Sequence, residues 1–378
     1  MGAVAPRGLQ DLPMPDIAVI TNSLWSEPPR LRRQVTDLLT ADGHEVGFFE
    51  RPALPWVRIE KPLERVSRSV TVARPRCLIH PQLRLVPALA DANARYACSS
   101  MRPLMQELGL GRSTTVVNFN HDIYFIRRLF PDNRIITIIN DDFESQARFP
   151  RFGHVTRALR QTCMSSDEVH AVSTSLVDRL SQWCSPRLFL PWAVRPYRSP
   201  NPDMDRRTTL LFWGSIDMAI DPSAVSLLAE ELQRRGPQWK LMFVGPTRVA
   251  RTRQRVASEL LRHPNVTLHD PSSLDALPLD DVLAAIIPYG REEWVKAVTL
   301  ANKTLSLLAA GLPFIITGMP NFIRKPFILR LDECGGAGAA LDACQAGFMA
   351  WQPGIREFLE EQDAGSRLKQ LGIERGST

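Results

Sequence analysis

Short apolar runs closed by polar residues alternate along the chain with longer stretches whose apolar positions recur every three or four residues. The run at 16–21, Asp-Ile-Ala-Val-Ile-Thr, predicts a buried strand. Leu31, Val35, Leu38 and Leu39 then fall at helical spacing and predict a helix over 30–41, ended by Gly43. A second strand follows at 45–49 and completes a β-α-β unit. The alternation continues with strands at 114–118, 135–139 and 168–172, a helix at 152–165 and a short apolar run at 188–191. Segment 191–205 carries four prolines and reads as a linker. Beyond it, strands are predicted at 209–214, 239–245, 266–268, 282–288 and 313–317. Helices are predicted at 222–235, 249–262 and 304–310, with a helical tail over 348–371.

This order predicts an α/β protein with two Rossmann-like domains. The expected bounds are 1–195 for the first, 196–206 for the linker, 207–345 for the second and 346–378 for a C-terminal helical segment. Parallel sheets take ligands at the carboxyl ends of their strands, and two such domains facing each other are expected to enclose a cleft.

Composition narrows the classes. The chain has 378 residues, 44% of them hydrophobic and 23% charged, which excludes a disordered or collagenous polymer. None of the six cysteines forms a CxxC pair, so no zinc or redox motif is present and a reducing compartment is expected. Residues 1–15 lack an apolar core, and no run reaches the roughly eighteen apolar residues of a spanning helix. A cytoplasmic protein, soluble or peripheral on the inner face of a membrane, is therefore expected. Only six of the 46 basic residues are lysines, which makes each lysine worth inspecting.

The densest chemical signal is a strand ending in Pro288-Tyr289, followed by a helix opening on Asn302-Lys303 and closing on Ala309-Ala310-Gly311-Leu312-Pro313. Helix N-termini present free N–H groups and partial positive charge. A lysine in that first turn either adds a full charge to a diphosphate site or is simply solvated.

This segment resembles the donor-site signature of GT-B glycosyltransferases, of the group 1 or family 4-like kind that includes bacterial exopolysaccharide and teichuronic-type sugar transferases. Tyr289, Asn302, Lys303, Ala309, Ala310, Gly311 and Pro313 carry the match. Other stations follow in the family's order: Gly214-Ser215-Ile216 with Asp221, Gly245-Pro246, His263-Pro264-Asn265, Asn140-Asp141-Asp142 and Val172-Ser173-Thr174-Ser175-Leu176. The likeness spans roughly residues 16 to 360. It implies donor contacts from Gly214, Ser215, Gly245, Tyr289, Asn302, Lys303 and Ser306, and a last helix near Trp351 that crosses back to the first domain. Many retaining relatives carry two glutamates where this chain has Val298 and Ser306, so the retaining Glu-pair subgroup is disfavoured.

In inverting members a carboxylate of the first domain takes the acceptor proton. Asp141 and Asp142 directly follow a predicted strand and are the candidates, either of which could instead cap a helix. Asn118, His121, Asp122 and Glu144 are the expected acceptor-side residues, with plain turn chemistry as the rival reading of the first three. Gly335-Gly336-Ala337-Gly338 follows no strong strand pattern and reads as a turn rather than a phosphate loop.

Residues 51–84 hold eight basic and two acidic side chains, interleaved with Trp56, Val57, Ile59, Leu63, Val66 and Val70. A basic amphipathic face suits an anionic membrane surface, where lipid-linked acceptors reside; an arginine-rich solvated face is the alternative. No nucleic-acid-binding module appears, so no nucleic-acid partner is expected. The resemblance implies sugar transfer from a nucleotide diphosphate donor, with a UDP-sugar favoured, to a hydroxyl of a glycan or lipid-linked acceptor. It implies neither metal nor further cofactor. The rivals are a nucleotide-sugar epimerase on the same fold and a non-catalytic binding protein that keeps it.

Overall fold

The computed structural model describes residues 14–27, 30–246, 251–290 and 292–373, with 251–255 and 302 described by backbone alone. Residues 1–15, read above for a leader, fall almost wholly outside that set, as do positions 249 and 250 of the helix expected at 249–262. The chain divides into two units. One comprises the chain up to Val172, Leu176–Phe189 and the chain from Leu368; the other comprises Ser173–Ser175 and Leu190–Arg367.

The elements of the first half are β1 (Ile17–Ile20), α1 (Leu31–Ala41), β2 (Val46–Phe49), β3 (Leu63–Ser67), β4 (Val70–Ala73), α2 (Pro87–Glu107), β5 (Thr115–Asn118), α3 (Ile126–Leu129), β6 (Ile135–Ile139), α4 (His154–Met164), β7 (Glu168–Ala171), α5 (Thr174–Leu180) and β8 (Arg187–Leu188). Its sheet runs β3-β4-β2-β1-β5-β6-β7-β8. All neighbours are parallel except the β3–β4 pair. Strands β1, β2, β4 and β6 are buried at every position, as expected of a parallel sheet covered on both faces.

The second half holds β9 (Thr209–Trp213), α6 (Pro222–Arg235), β10 (Lys240–Val244), α7 (Arg251–Leu260), β11 (Val266–His269), β12 (Val282–Pro288), α8 (Glu293–Lys296), α9 (Asn302–Ala309), β13 (Phe314–Thr317), β14 (Ile328–Arg330), α10 (Ala337–Gly347), α11 (Gln352–Glu361) and α12 (Ala364–Leu371). Its wholly parallel sheet runs β11-β10-β9-β12-β13-β14. In each sheet the strand order reverses beside the first strand, β1 or β9. Such switch points are where parallel sheets open a crevice at their carboxyl edge.

The structure adds elements and changes one expectation. Within segment 51–84, β3 and β4 form an antiparallel hairpin at the sheet edge. A 21-residue helix, α2, follows it and was not predicted. Trp351 does not lead back to the first unit. It packs on the second unit's core, and α11 stays there through Ile355, Phe358 and Leu359. The return is made by the end of the chain. The Ile373 carbonyl accepts from His44 Nε2 at 2.8 Å, and Arg134 donates to the carbonyls of Leu371 and Gly372. Gly335-Gly336 lies in the turn that joins β14 to α10, as expected.

His170 on β7 is fully buried, with Phe189 edge-on and neither ring nitrogen hydrogen-bonded. Burial drives its pKa down to about 4, against the pull of Glu168. Below the unfolded value near 6.5 the unfolded chain therefore binds a proton that the folded chain refuses. Stability held at neutral pH is lost as pH falls from about 6.5 to 4, by about 1.4 kcal/mol per pH unit from this group. His170→Leu is expected to remove that slope, read as the difference in urea midpoints between pH 7 and pH 4.5.

Candidate functional site

At the carboxyl edge of the second sheet, β9 leads into Gly214 and β10 into Gly245. Their backbones nearly touch: a Cβ on Gly245 would lie 1.8 Å from the Gly214 carbonyl oxygen. Gly245 has φ +157°, and its N–H donates to His269 while that of Gly214 donates to Val244. No side chain can fit at Gly245, so the two strand exits approach each other closely at the edge. Ser215 is exposed beside them.

The Lys303 side chain reaches this place from the first turn of α9. Its ammonium donates to the Tyr289 hydroxyl at 2.8 Å and lies over the rings of Phe212 (4.2 Å) and Tyr289 (4.6 Å). A Cβ on Gly214 would stand 3.3 Å from the same nitrogen. No carboxylate pairs with Lys303 among the described residues. The cation is thus steered by aromatic faces and a phenol, which leaves its charge uncompensated. Asn302 opens α9, but its side chain lies outside the described set; Ser306 lies one turn on and is partly exposed. Asp221 caps α6, accepting from Ser223 N at 2.9 Å, and donates its own N–H to Pro288. Tyr289 also lines a cavity of about 520 Å³ with Thr317, Gly318 and Arg324.

In the first unit the two aspartates after β6 part ways. Asp142 is buried, pairs with Arg179 at 2.7 Å and accepts from Ser145 N. It braces the turn after β6 and caps no helix. Asp141 is half-buried; its Oδ1 accepts from Asp142 N and from Gln146 Nε2 (2.7 Å), and its Oδ2 accepts nothing among the described residues. Burial raises its pKa against those bonds and the nearby Arg30. A carboxylate held by one oxygen and biased towards protonation suits a general base.

The expected acceptor residues divide likewise. Asn118 is fully buried and its amide joins Thr137 and the Asn120 backbone, so it shapes the β5 exit and faces no ligand. Glu144 is held by Thr156 at 2.6 Å and sits 3.4 Å from Arg179. It too braces the fold. His121 and Asp122 both line a cavity of about 580 Å³ at the carboxyl ends of β1, β2 and β5. His121 stacks on Phe143 at 3.7 Å; Asp122 is paired with buried Arg84. The same cavity takes Arg84, His154 and Gln146, which sequence reasoning missed. They come from segments far apart in the chain, and no local motif joins them.

The basic excess of residues 51–84 is mostly used within the unit. Arg74 pairs with Glu50 and Glu64, Arg65 with Glu45, Lys61 with Glu64, and Arg84 with Asp122. Arg76 donates to the carbonyls of Leu54, Pro55 and Val57. A continuous cationic face is therefore not what these residues build; Arg58 and Arg68 stay exposed, as does Trp56 at 75%. Among the described residues no three or more His, Cys, Asp or Glu gather as metal ligands, and no helix is long and apolar enough to cross a membrane.

Comparison of the whole chain places this architecture. WaaG, a glycosyltransferase involved in lipopolysaccharide biosynthesis, superposes with TM-score 0.62 at 15% identity over 96% of this chain and all of its own. The α,α-trehalose 6-phosphate synthase of Burkholderia multivorans gives 0.64 at 11% identity, over 96% of this chain and 98% of the synthase. Anabaena Alr3699/HepE, solved with UDP-glucose, gives 0.64 at 8% identity, over 94% and 98%. The chain has the GT-B fold. No protein-family model matches it, and no curated protein matches it in sequence. Identities this low carry the fold and no further.

Proposed function

We propose that the chain is a glycosyltransferase that moves a sugar from a nucleotide diphosphate donor, most simply a UDP-sugar, to a hydroxyl of an acceptor. The observation that carries this is Lys303: an ammonium without a carboxylate partner among the described residues, in the first turn of a helix beside Gly214. A diphosphate leaving group needs such a charge, and helix N–H groups add to it. Two structures of the same fold carry UDP-glucose or UDP-2-fluoro glucose, which supports a uridine donor.

Val298 and Ser306 supply no carboxylate on the donor side. That favours inversion, with Asp141 drawing the proton from the attacking hydroxyl as the bond to the anomeric carbon forms and the nucleoside diphosphate departs. Lys303 and backbone N–H groups stabilise the departing charge, so this reading routes no step through a metal. The acceptor lies against the first unit, whose exposed Trp56, Arg58 and Arg68 suit peripheral contact with a membrane carrying a lipid-linked glycan.

A thermal-shift screen of UDP, ADP, GDP and UDP-glucose tests the donor assignment. A ligand at 100 times its Kd adds about 2.7 kcal/mol to stability. UDP and UDP-glucose are expected to raise the melting temperature; no shift with any nucleoside diphosphate removes the assignment.

A further inference from the structure

Two thiols meet at the margin of the first unit's core, away from every residue assigned so far to donor or acceptor. Cys163 lies in the last turn of α4 and is 1% exposed, packed with Leu159, Val169, Leu176 and Leu180. Cys184 lies in the turn that joins α5 to β8, half-buried against the same cluster. Its thiol donates to the Leu180 carbonyl at 3.6 Å, and the two cysteine side chains are hydrogen-bonded to each other. Both are free thiols. Ser181, Gln182 and Ser185 around Cys184 are exposed, so solvent reaches the pair from that side alone.

The contact polarises the pair. The hydrogen bond from Cys163 holds the Cys184 thiol below its ordinary pKa, against the opposing effect of burial. The same hydrogen bond, with burial and the nearby charge of Glu144, holds Cys163 well above it. The proton therefore stays on the buried sulfur, and the thiolate character falls on the half-exposed one. Thiolates, not thiols, attack oxidants, and a second sulfur within reach of the first lets the product close to a disulfide before it is oxidised further.

We propose that Cys184 and Cys163 form a peroxide-responsive pair, Cys184 as the attacking sulfur and Cys163 as the resolving one. The Cys184 thiolate attacks one oxygen of a hydroperoxide, the O–O bond breaks, and a sulfenic acid forms as the other oxygen leaves with a proton as water. The Cys163 sulfur then displaces the hydroxyl from Cys184, which leaves as a second water with the Cys163 proton. Two thiols lose two electrons and two protons, and hydrogen peroxide is reduced to two waters. Bond closure draws the sulfurs to about 2.05 Å. The surface turn carrying Cys184 supplies that movement while α4 stays packed. The loop so closed contains α5, whose Arg179 pairs with Asp142. In a reducing compartment such a bond is transient and is reversed by thiol exchange.

Peptide mapping of the full chain tests this. The reduced protein is freed of reductant, exposed to a few equivalents of hydrogen peroxide, alkylated, digested and analysed by mass spectrometry. A Cys163–Cys184 cross-link is expected, two hydrogens lighter than the free pair and lost on treatment with dithiothreitol. Cys163→Ser keeps a donor towards Cys184 but cannot close the bond, so it is expected to lose the cross-link and to accumulate a Cys184 sulfenic acid that dimedone traps. Cys184→Ser is expected to lose both the cross-link and the dimedone adduct. Should either variant fail to fold, the map of the parent decides alone. Free Cys163 and Cys184 after peroxide, a Cys334–Cys344 link in their place, Cys184 carried to the sulfinic acid without a cross-link, or a dimedone adduct on Cys163 rather than Cys184 would each overturn the inference.

Discussion

Asp141→Asn is expected to lower sugar transfer by about 10²–10⁴-fold, the usual contribution of a general base, while leaving donor affinity nearly unchanged. The substitution keeps the shape of the side chain, and the amide can still meet Asp142 N through its oxygen. What it removes is the unbonded Oδ2 that can take a proton. The pH profile supplies a second check. Burial holds the Asp141 carboxyl above its ordinary value, so the acid limb of kcat/KM should lie above the usual carboxylate range and vanish in the variant. Asp142→Asn should behave differently. Its carboxylate accepts from Ser145 N and pairs with Arg179, so its loss should cost about 1–3 kcal/mol of stability with transfer retained below the melting temperature. If both Asn variants transfer at the parent rate, the base is not in this pair.

Lys303→Ala is expected to weaken UDP binding by about tenfold or more, since a charge-assisted hydrogen bond contributes roughly 1.5–3 kcal/mol. The half-buried ammonium makes one hydrogen bond, to Tyr289, so the fold should survive and the melting temperature of the free protein should barely move. Tyr289→Phe removes only the phenol that steers the ammonium, and a smaller loss is expected. Calorimetry with UDP measures both. An unchanged UDP affinity in Lys303→Ala takes the lysine out of the site.

Most strands were legible because they are short apolar runs buried on both faces, as at Ile135–Ile139 and Val282–Pro288. Helix α2 was not, and its core face shows why. It is built from Ala94, Ala97, Cys98, Met101 and Leu104 at helical spacing, but small residues give a weak apolar signal, and Pro103 lies inside the helix. The hairpin β3–β4 was hidden by arginines whose charges are met by Glu45, Glu50 and Glu64, partners that only the fold reveals. The donor-side residues were legible because Tyr289 and Lys303 sit in one continuous motif. The cavity of the first unit was only half legible: His121 and Asp122 follow β5 directly, whereas Arg84, Gln146 and His154 reach it from separate segments. The same limit explains Asn118, whose type suits a ligand but whose buried amide is taken by Thr137 and the Asn120 backbone.

Acceptor-dependent release of UDP, followed with mass detection of the glycosylated product, bears most directly on the central claim. UDP-glucose and UDP-galactose are each incubated with octyl β-glycosides of glucose and galactose and the full chain. Release of one UDP per glycoside formed is predicted, abolished without acceptor and lost in both Asp141→Asn and Lys303→Ala. Release of UDP or isomerised donor without acceptor, or saturable binding of donor and glycoside with no product, would contradict the assignment as a glycosyltransferase.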